Sequence, residues 1–144
     1  MRINPSITEP ERISDPILEI GKTHFGIQYL FPYQRLALYN ILASCGYFGA
    51  EEEDQSVGDQ IILLPTGAGK SLCFQIPAML IPGLTVVVYP LLALMADQFR
   101  RLQEAKVPAA VLKGGQTSEE RTTLFQELKN GRIKILLTNP ESLS

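Results

Sequence analysis

The sequence predicts a doubly wound parallel α/β sheet, and three observations carry that expectation. Short apolar runs stand at residues 61–64, 85–89, 109–112 and 133–137, stretches with helical apolar spacing lie between them, and a glycine-rich turn carrying a lysine joins the first run to the first helix. Apolar runs too short for helices suit strands covered on both faces. Strands that alternate with helices lie parallel in one sheet. At 144 residues the chain has room for one core, and its 45% hydrophobic and 19% charged content argues against disorder. A net charge of -2 argues against a broad basic surface, so any contact with nucleic acid is expected to be local. Cys45 and Cys73 stand outside any CxxC or Cys/His spacing, which predicts two buried, reduced thiols and no zinc site. The first residues lack the apolar run of a signal peptide and no stretch is long enough to span a membrane, so an intracellular protein is expected.

The elements follow in order. Residues 1–16 hold Pro5, Pro10, Pro16 and several charges, and read as an arm without a core of its own. Residues 17–48 form a helical segment: apolar residues cluster at 17–20 before Gly21 and Gly26, and Pro32 opens a helix whose apolar positions are Leu36, Tyr39 and Leu42/Ala43. Residues 49–59 (GAEEEDQSVGD) read as a solvated acidic loop rather than a metal-binding cluster. The α/β part, residues 60–144, opens on the run 61–64 as its first strand. A helix is expected over 71–81, kinked or shortened by Pro77. The β-branched run TVVVY at 85–89 is a second buried strand. Leu91, Leu94/Met95, Gln98, Leu102 and Ala105 share one face of the next helix, and 109–112 is a weaker strand. Thr117 with Glu120 signs a capping box, Gly131 ends that helix, and 133–137 is the fourth strand.

The segment Leu64-Pro65-Thr66-Gly67-Ala68-Gly69-Lys70-Ser71 lies where a phosphate-binding loop belongs, between a strand and a helix. Gly67 and Gly69 let the backbone wrap tightly and turn amides inward, toward a polyphosphate that also meets the positive end of the helix. Thr66, Gly67, Ala68, Gly69, Lys70 and Ser71 are the expected ATP contacts, with the Lys70 ammonium near the β- and γ-phosphates as the catalytic cation and the Ser71 hydroxyl as a Mg²⁺ ligand. The pattern departs from a strict G-x-x-x-x-G-K-[ST] because Leu64 holds the first glycine position. The loop alone does not choose among kinases, GTPases and motors.

The surrounding words do. LPTGAGKSLCFQIPA at 64–78 resembles the first helicase motif of the RecQ family, and three further blocks match in order: HFGIQYLFPYQ at 24–34 is similar to that family's adenine-recognition motif, VVVYPLLALMADQ at 86–98 to its motif Ia, and LLTNPESL at 136–143 to its motif Ib. The resemblance runs from about residue 17 to 144 and implies part of the first RecA-like motor domain, truncated, of an ATP-dependent DNA helicase that uses ATP and Mg²⁺. It further implies that Gln34 reads the adenine edge through its amide, which offers both a donor and an acceptor. Phe31 stands where the family usually has an arginine against the base, and is left to stack on it. Pro90, Leu91, Asn139 and Pro140, in the loops after the second and fourth strands, would meet the backbone of single-stranded or partly duplex DNA. Ile27, Ala93 and Ser142 replace the family's usual tyrosine, serine and arginine, which weakens the DNA assignments more than the ATP ones.

In this superfamily an Asp-Glu-x-His or similar motif follows the fourth strand, where it would hold Mg²⁺ and orient the attacking water. The sequence reaches Ser144 before any such motif, and neither Asp59 nor Asp97 is placed to replace it. The 144-residue chain is therefore expected to bind ATP and hydrolyse it poorly or not at all, to expose apolar sheet edge, and to act with a C-terminal motor domain of a longer parent. A DEAD-box-like RNA helicase and a non-catalytic ATP-binding module remain the alternative readings. By the resemblance, its place is the bacterial nucleoid or the eukaryotic nucleus, in DNA repair or recombination.

Overall fold

The computed structural model describes residues 14–49 and 59–143. Most of the N-terminal arm and the acidic run Glu51, Glu52, Glu53 and Asp54 lie outside the described residues. Helix α1 (Pro16–Phe25) starts where Asp15 accepts the Leu18 amide at 3.1 Å and Pro16 fixes the first helical φ. It passes through Gly21 and ends at Gly26, whose φ of 64° lets its amide turn back to the Gly21 carbonyl. Helix α2 (Pro32–Ser44) follows, then α3 (Leu72–Leu80), β1 (Thr85–Val88), α4 (Leu92–Glu104), β2 (Ala109–Leu112), α5 (Ser118–Lys129), β3 (Ile135–Thr138) and a 3₁₀ turn (Pro140–Ser142). The expected capping box closes α5: the Glu120 amide donates to Thr117 Oγ1 at 3.1 Å, and the Thr117 amide to Glu120 Oε2 at 2.8 Å.

The sheet is parallel, ordered β1-β3-β2, with Thr85 and Ala109 both opposite Ile135, and Val88 and Leu112 both opposite Thr138. Every residue of the central strand β3 is buried. Its side chains alternate between two cores. Ile135 and Leu137 face Ala78 of α3 and Met95 and Leu102 of α4, while Leu136 joins Leu112, Ile133 and Leu124 of α5. Helices thus cover both faces of the central strand, as a doubly wound sheet requires. The strand expected to be buried at 85–89 is covered on one face only, with Val86 and Val88 of β1 48% and 47% exposed. A third cluster (Ile17, Leu30, Leu38, Leu42 and Ile76) packs α1 and α2 onto α3.

Three further sequence-based expectations are corrected. Residues 61–64 are not a strand: among the described residues nothing pairs with them, and a strand exists only through its ladder. They alternate in exposure, with Ile61 and Leu63 each 88% exposed, and lie beside Tyr33, Leu36, Ala37 and Asn40 of α2, where Gln60 Nε2 donates to the Asn40 carbonyl at 3.1 Å. One-sided cover against a helix replaced the two-sided burial that the unbroken apolar run suggested. Helix α2 buries Leu42 as expected but not Leu36 or Tyr39. Gln34, Ala37, Leu38 and Leu42 turn inward, while Leu36 and Tyr39 stand 63% and 54% exposed, because both sides of this helix are apolar and the packing partner α3 chooses between them. Finally, Cys73 is buried as expected but Cys45, just past the end of α2, is exposed.

Candidate functional site

Residues 65–71 form a chain of turns that leads directly into α3. Gly67 and Gly69 hold φ values of 81° and 77°, in the left-handed region where a side chain is strained. Within the loop the Ala68 amide bonds the Pro65 carbonyl at 3.2 Å. The amides of Gly67, Gly69, Lys70 and Ser71 have no acceptor among the described residues. Unpartnered donors at a helix start are the kind of electropositive backbone that suits an anion. The loop borders a cleft of about 880 Å³.

Each expected contact can be located. Lys70 is exposed, and its Nζ donates to the carbonyls of Leu64 at 2.9 Å and Pro65 at 3.0 Å, bridging the front of its own loop. The Ser71 hydroxyl is half-buried and donates to Gln98 Oε1 at 3.2 Å, a single contact that leaves its lone pairs open to a cation. Gln34, only 4% exposed, has both ends of its amide engaged: Oε1 accepts the Phe31 amide at 2.9 Å, and Nε2 donates to the Ala68 carbonyl at 2.9 Å. One donor and one acceptor position remain. Gln34 therefore couples the start of α2 to the phosphate-loop segment. Gly69 is its complement, since a Cβ there would collide with the Gln34 amide nitrogen. Phe31 is 52% exposed and stacks on Tyr33 with the rings 3° from parallel and 5.5 Å apart.

The other expected pair of loops is also brought together. The Tyr89 amide donates to the Thr138 carbonyl at 2.8 Å, so the segments leaving β1 and β3 run side by side at the carboxyl end of the sheet. Pro90, Leu91 and Pro140 are exposed there, whereas Asn139 is 7% exposed and binds Glu141 and Ser142 of the 3₁₀ turn through its own amide.

Against this geometry, the comparisons with known proteins are consistent. The DEAD/DEAH box helicase model matches residues 31–144. The chain belongs to the DEAD/DEAH box helicase family. Among its relatives, ATP-dependent DNA helicase Q-like 5 of Arabidopsis thaliana is 49% identical over 83 residues, 58% of this chain and 9% of that protein. ATP-dependent DNA helicase RecQ of a Synechocystis strain is 46% identical over 85 residues, 59% of this chain and 18% of the relative. The putative ATP-dependent DNA helicase Q1 of Caenorhabditis briggsae is 33% identical over 133 residues, 91% of this chain and 19% of its own length. Within the helicase family the chain is therefore of the RecQ type, and it spans a fifth or less of the curated relatives named here. Among the described residues no helix is long and apolar enough to cross a membrane, and no cluster of three His, Cys, Asp or Glu side chains could hold a metal.

In this helicase chain the far wall of the cleft comes from an element that no sequence motif marks as part of the site. It is helix α4, which presents Asp97, Gln98 and Arg101 opposite Thr66, Lys70 and Ser71. In the sequence, Asp97 and Gln98 close the block that resembles motif Ia and Gln98 shares the apolar face of its helix, and neither is marked as a cleft residue. A glutamine on an apolar, inward face must find a polar partner, and that was the available signal. His24 also lines the cleft, with Nδ1 3.0 Å from the Ala105 carbonyl, which ties the end of α1 to the end of α4. The hydrogen bond from Arg100 leads the influences that hold the Asp97 carboxyl below its ordinary range, and Arg101 adds a second bond and charge.

Proposed function

We propose that this chain is the nucleotide-binding part of the first motor domain of an ATP-dependent DNA helicase, with Mg-ATP held by residues 66–71. The observation that carries the reading is the glycine-shaped loop, rich in unpartnered amides, that borders the cleft together with Lys70 and Ser71. Those donors would take the phosphate oxygens, and Lys70 would leave the Leu64 and Pro65 carbonyls to neutralise charge on the transferred phosphoryl group. The Ser71 hydroxyl would exchange Gln98 for Mg²⁺, which would supply positive charge against the phosphates. Gln34 would face adenine with its remaining donor and acceptor, and Phe31 would stack on the base.

The exposed Pro90, Leu91 and Pro140, with Asn139 shaping the second loop from beneath, are proposed to follow the backbone of single-stranded DNA. The relatives' names, which read DNA helicase, favour DNA over RNA. Residues 1–16, 17–48, 49–59 and 60–144 are proposed as arm, adenine-recognition segment, acidic loop and motor core. The parent protein is proposed to be an intracellular ATP hydrolase acting in a DNA-containing compartment, together with a second motor domain.

Equilibrium titration with fluorescent ATP tests the loop. Lys70→Ala removes a charge-assisted phosphate contact and should weaken binding about tenfold to a hundredfold. Equal affinities for wild type and variant would reject the phosphate reading.

A further inference from the structure

We infer that Arg101 is a second phosphate ligand of the cleft, reaching from α4 and stored on Asp97 until an anion takes it. The inference rests on the nucleotide reading above and names an additional residue for it. Positions 97, 98 and 101 fall on one side of a helix, and all three line the cleft that the phosphate loop borders. The bond from Ser71 Oγ to Gln98 Oε1, at 3.2 Å, pins the two walls together at that level. A side chain one turn along α4 from Asp97 therefore reaches the space that Lys70 and Ser71 border.

The electrostatics favour a mobile cation at this point. Arg101 Nε binds Asp97 Oδ2 at 2.9 Å and has no other side-chain partner among the described residues. Asp97 also holds Arg100, whose Nη2 lies 2.7 Å from Oδ1, so the carboxylate stays compensated if Arg101 departs. Arg100 is further anchored to Glu104 at 3.1 Å and does not line the cleft. The Arg101 side chain is 63% exposed, and an exposed ion pair of this kind opens at small cost. A triphosphate carries several charges, and a lysine meets them as one point. A guanidinium adds a planar, two-pronged donor suited to phosphate oxygens.

The test compares fluorescent ATP and AMP binding across wild type, Arg101→Gln, Arg100→Gln and Lys70→Ala, with folding of each confirmed by circular dichroism. Arg101→Gln should weaken ATP binding about threefold to tenfold and leave AMP within about twofold, because AMP lacks the outer phosphates. Arg100→Gln, which removes the same charge from the same helix but outside the cleft, should keep ATP affinity within about twofold. Unchanged ATP affinity in Arg101→Gln, or an equal loss in both arginine variants, overturns the inference. If Lys70→Ala also binds ATP as wild type does, the nucleotide reading falls with it. If Lys70→Ala is weak while Arg101→Gln is normal, Arg101 alone is refuted.

Discussion

Replacing Gly69 by alanine should destabilise the fold more than the same change at Gly67, although the two glycines share nearly the same backbone. Their φ values are 77° and 81°, so each substitution incurs the left-handed penalty of about 1–2 kcal/mol for a residue with a Cβ. A Cβ at Gly67 meets nothing within 4 Å, and the change ends there. At Gly69 the Cβ runs into the Gln34 amide, which is buried and spends both its ends on Phe31 and Ala68. Displacing it strands a buried amide at a further cost of about 1–3 kcal/mol. Gly69→Ala should therefore cost about 2–5 kcal/mol and Gly67→Ala about 1–2 kcal/mol, measured by urea denaturation. A double-mutant cycle isolates the cause: in a Gln34→Ala background the Gly69→Ala cost should fall to that of Gly67→Ala. Equal costs for the two glycines, or no coupling to Gln34, would refute the reasoning.

Other outcomes follow from the packing and the caps. Leu137→Ala empties the centre of the larger core and should lower unfolding free energy by about 2–5 kcal/mol, read from the same denaturation curves. Thr117→Ala removes the cap of α5 at a cost of about 1 kcal/mol, and Thr117→Ser should restore most of it. Burial works to raise the Asp15 carboxyl, but the Arg35 and Leu18 hydrogen bonds and the Arg35 charge outweigh it and hold the group below its ordinary value. A carboxylate depressed in the folded state contributes stability that is present above its unfolded value and lost as pH falls toward the folded one. Melting temperature should therefore drop less steeply with acid in Asp15→Asn than in wild type, and parallel acid profiles would exclude this role.

Much of this fold was legible because its signals are local and redundant. Thr117, Glu120 and Gly131 mark both ends of α5 by capping chemistry alone, and the strands at 85–88 and 109–112 lie where their apolar runs stand. The failures share a cause: they depend on a partner distant in the chain. An apolar run such as 61–64 looks the same whether a strand or a helix lies beside it. Helix α2 offers two apolar sides, and only α3 decides that Leu38 goes in and Leu36 stays out. The site divides in the same way. The loop at 66–71 announces itself by residue type, whereas Gln98 and Arg101 enter the cleft only because α4 crosses beside the loop.

The two carbonyls on Lys70 bear on which anions can settle in the loop. An incoming group must compete with Leu64 and Pro65 for the ammonium, so a weakly charged visitor gains little by displacing them. A polyanion that engages several backbone amides at once can make up that loss. In this arrangement the resting lysine acts as a threshold, and the loop should respond steeply to the number of phosphates presented rather than to phosphate as such.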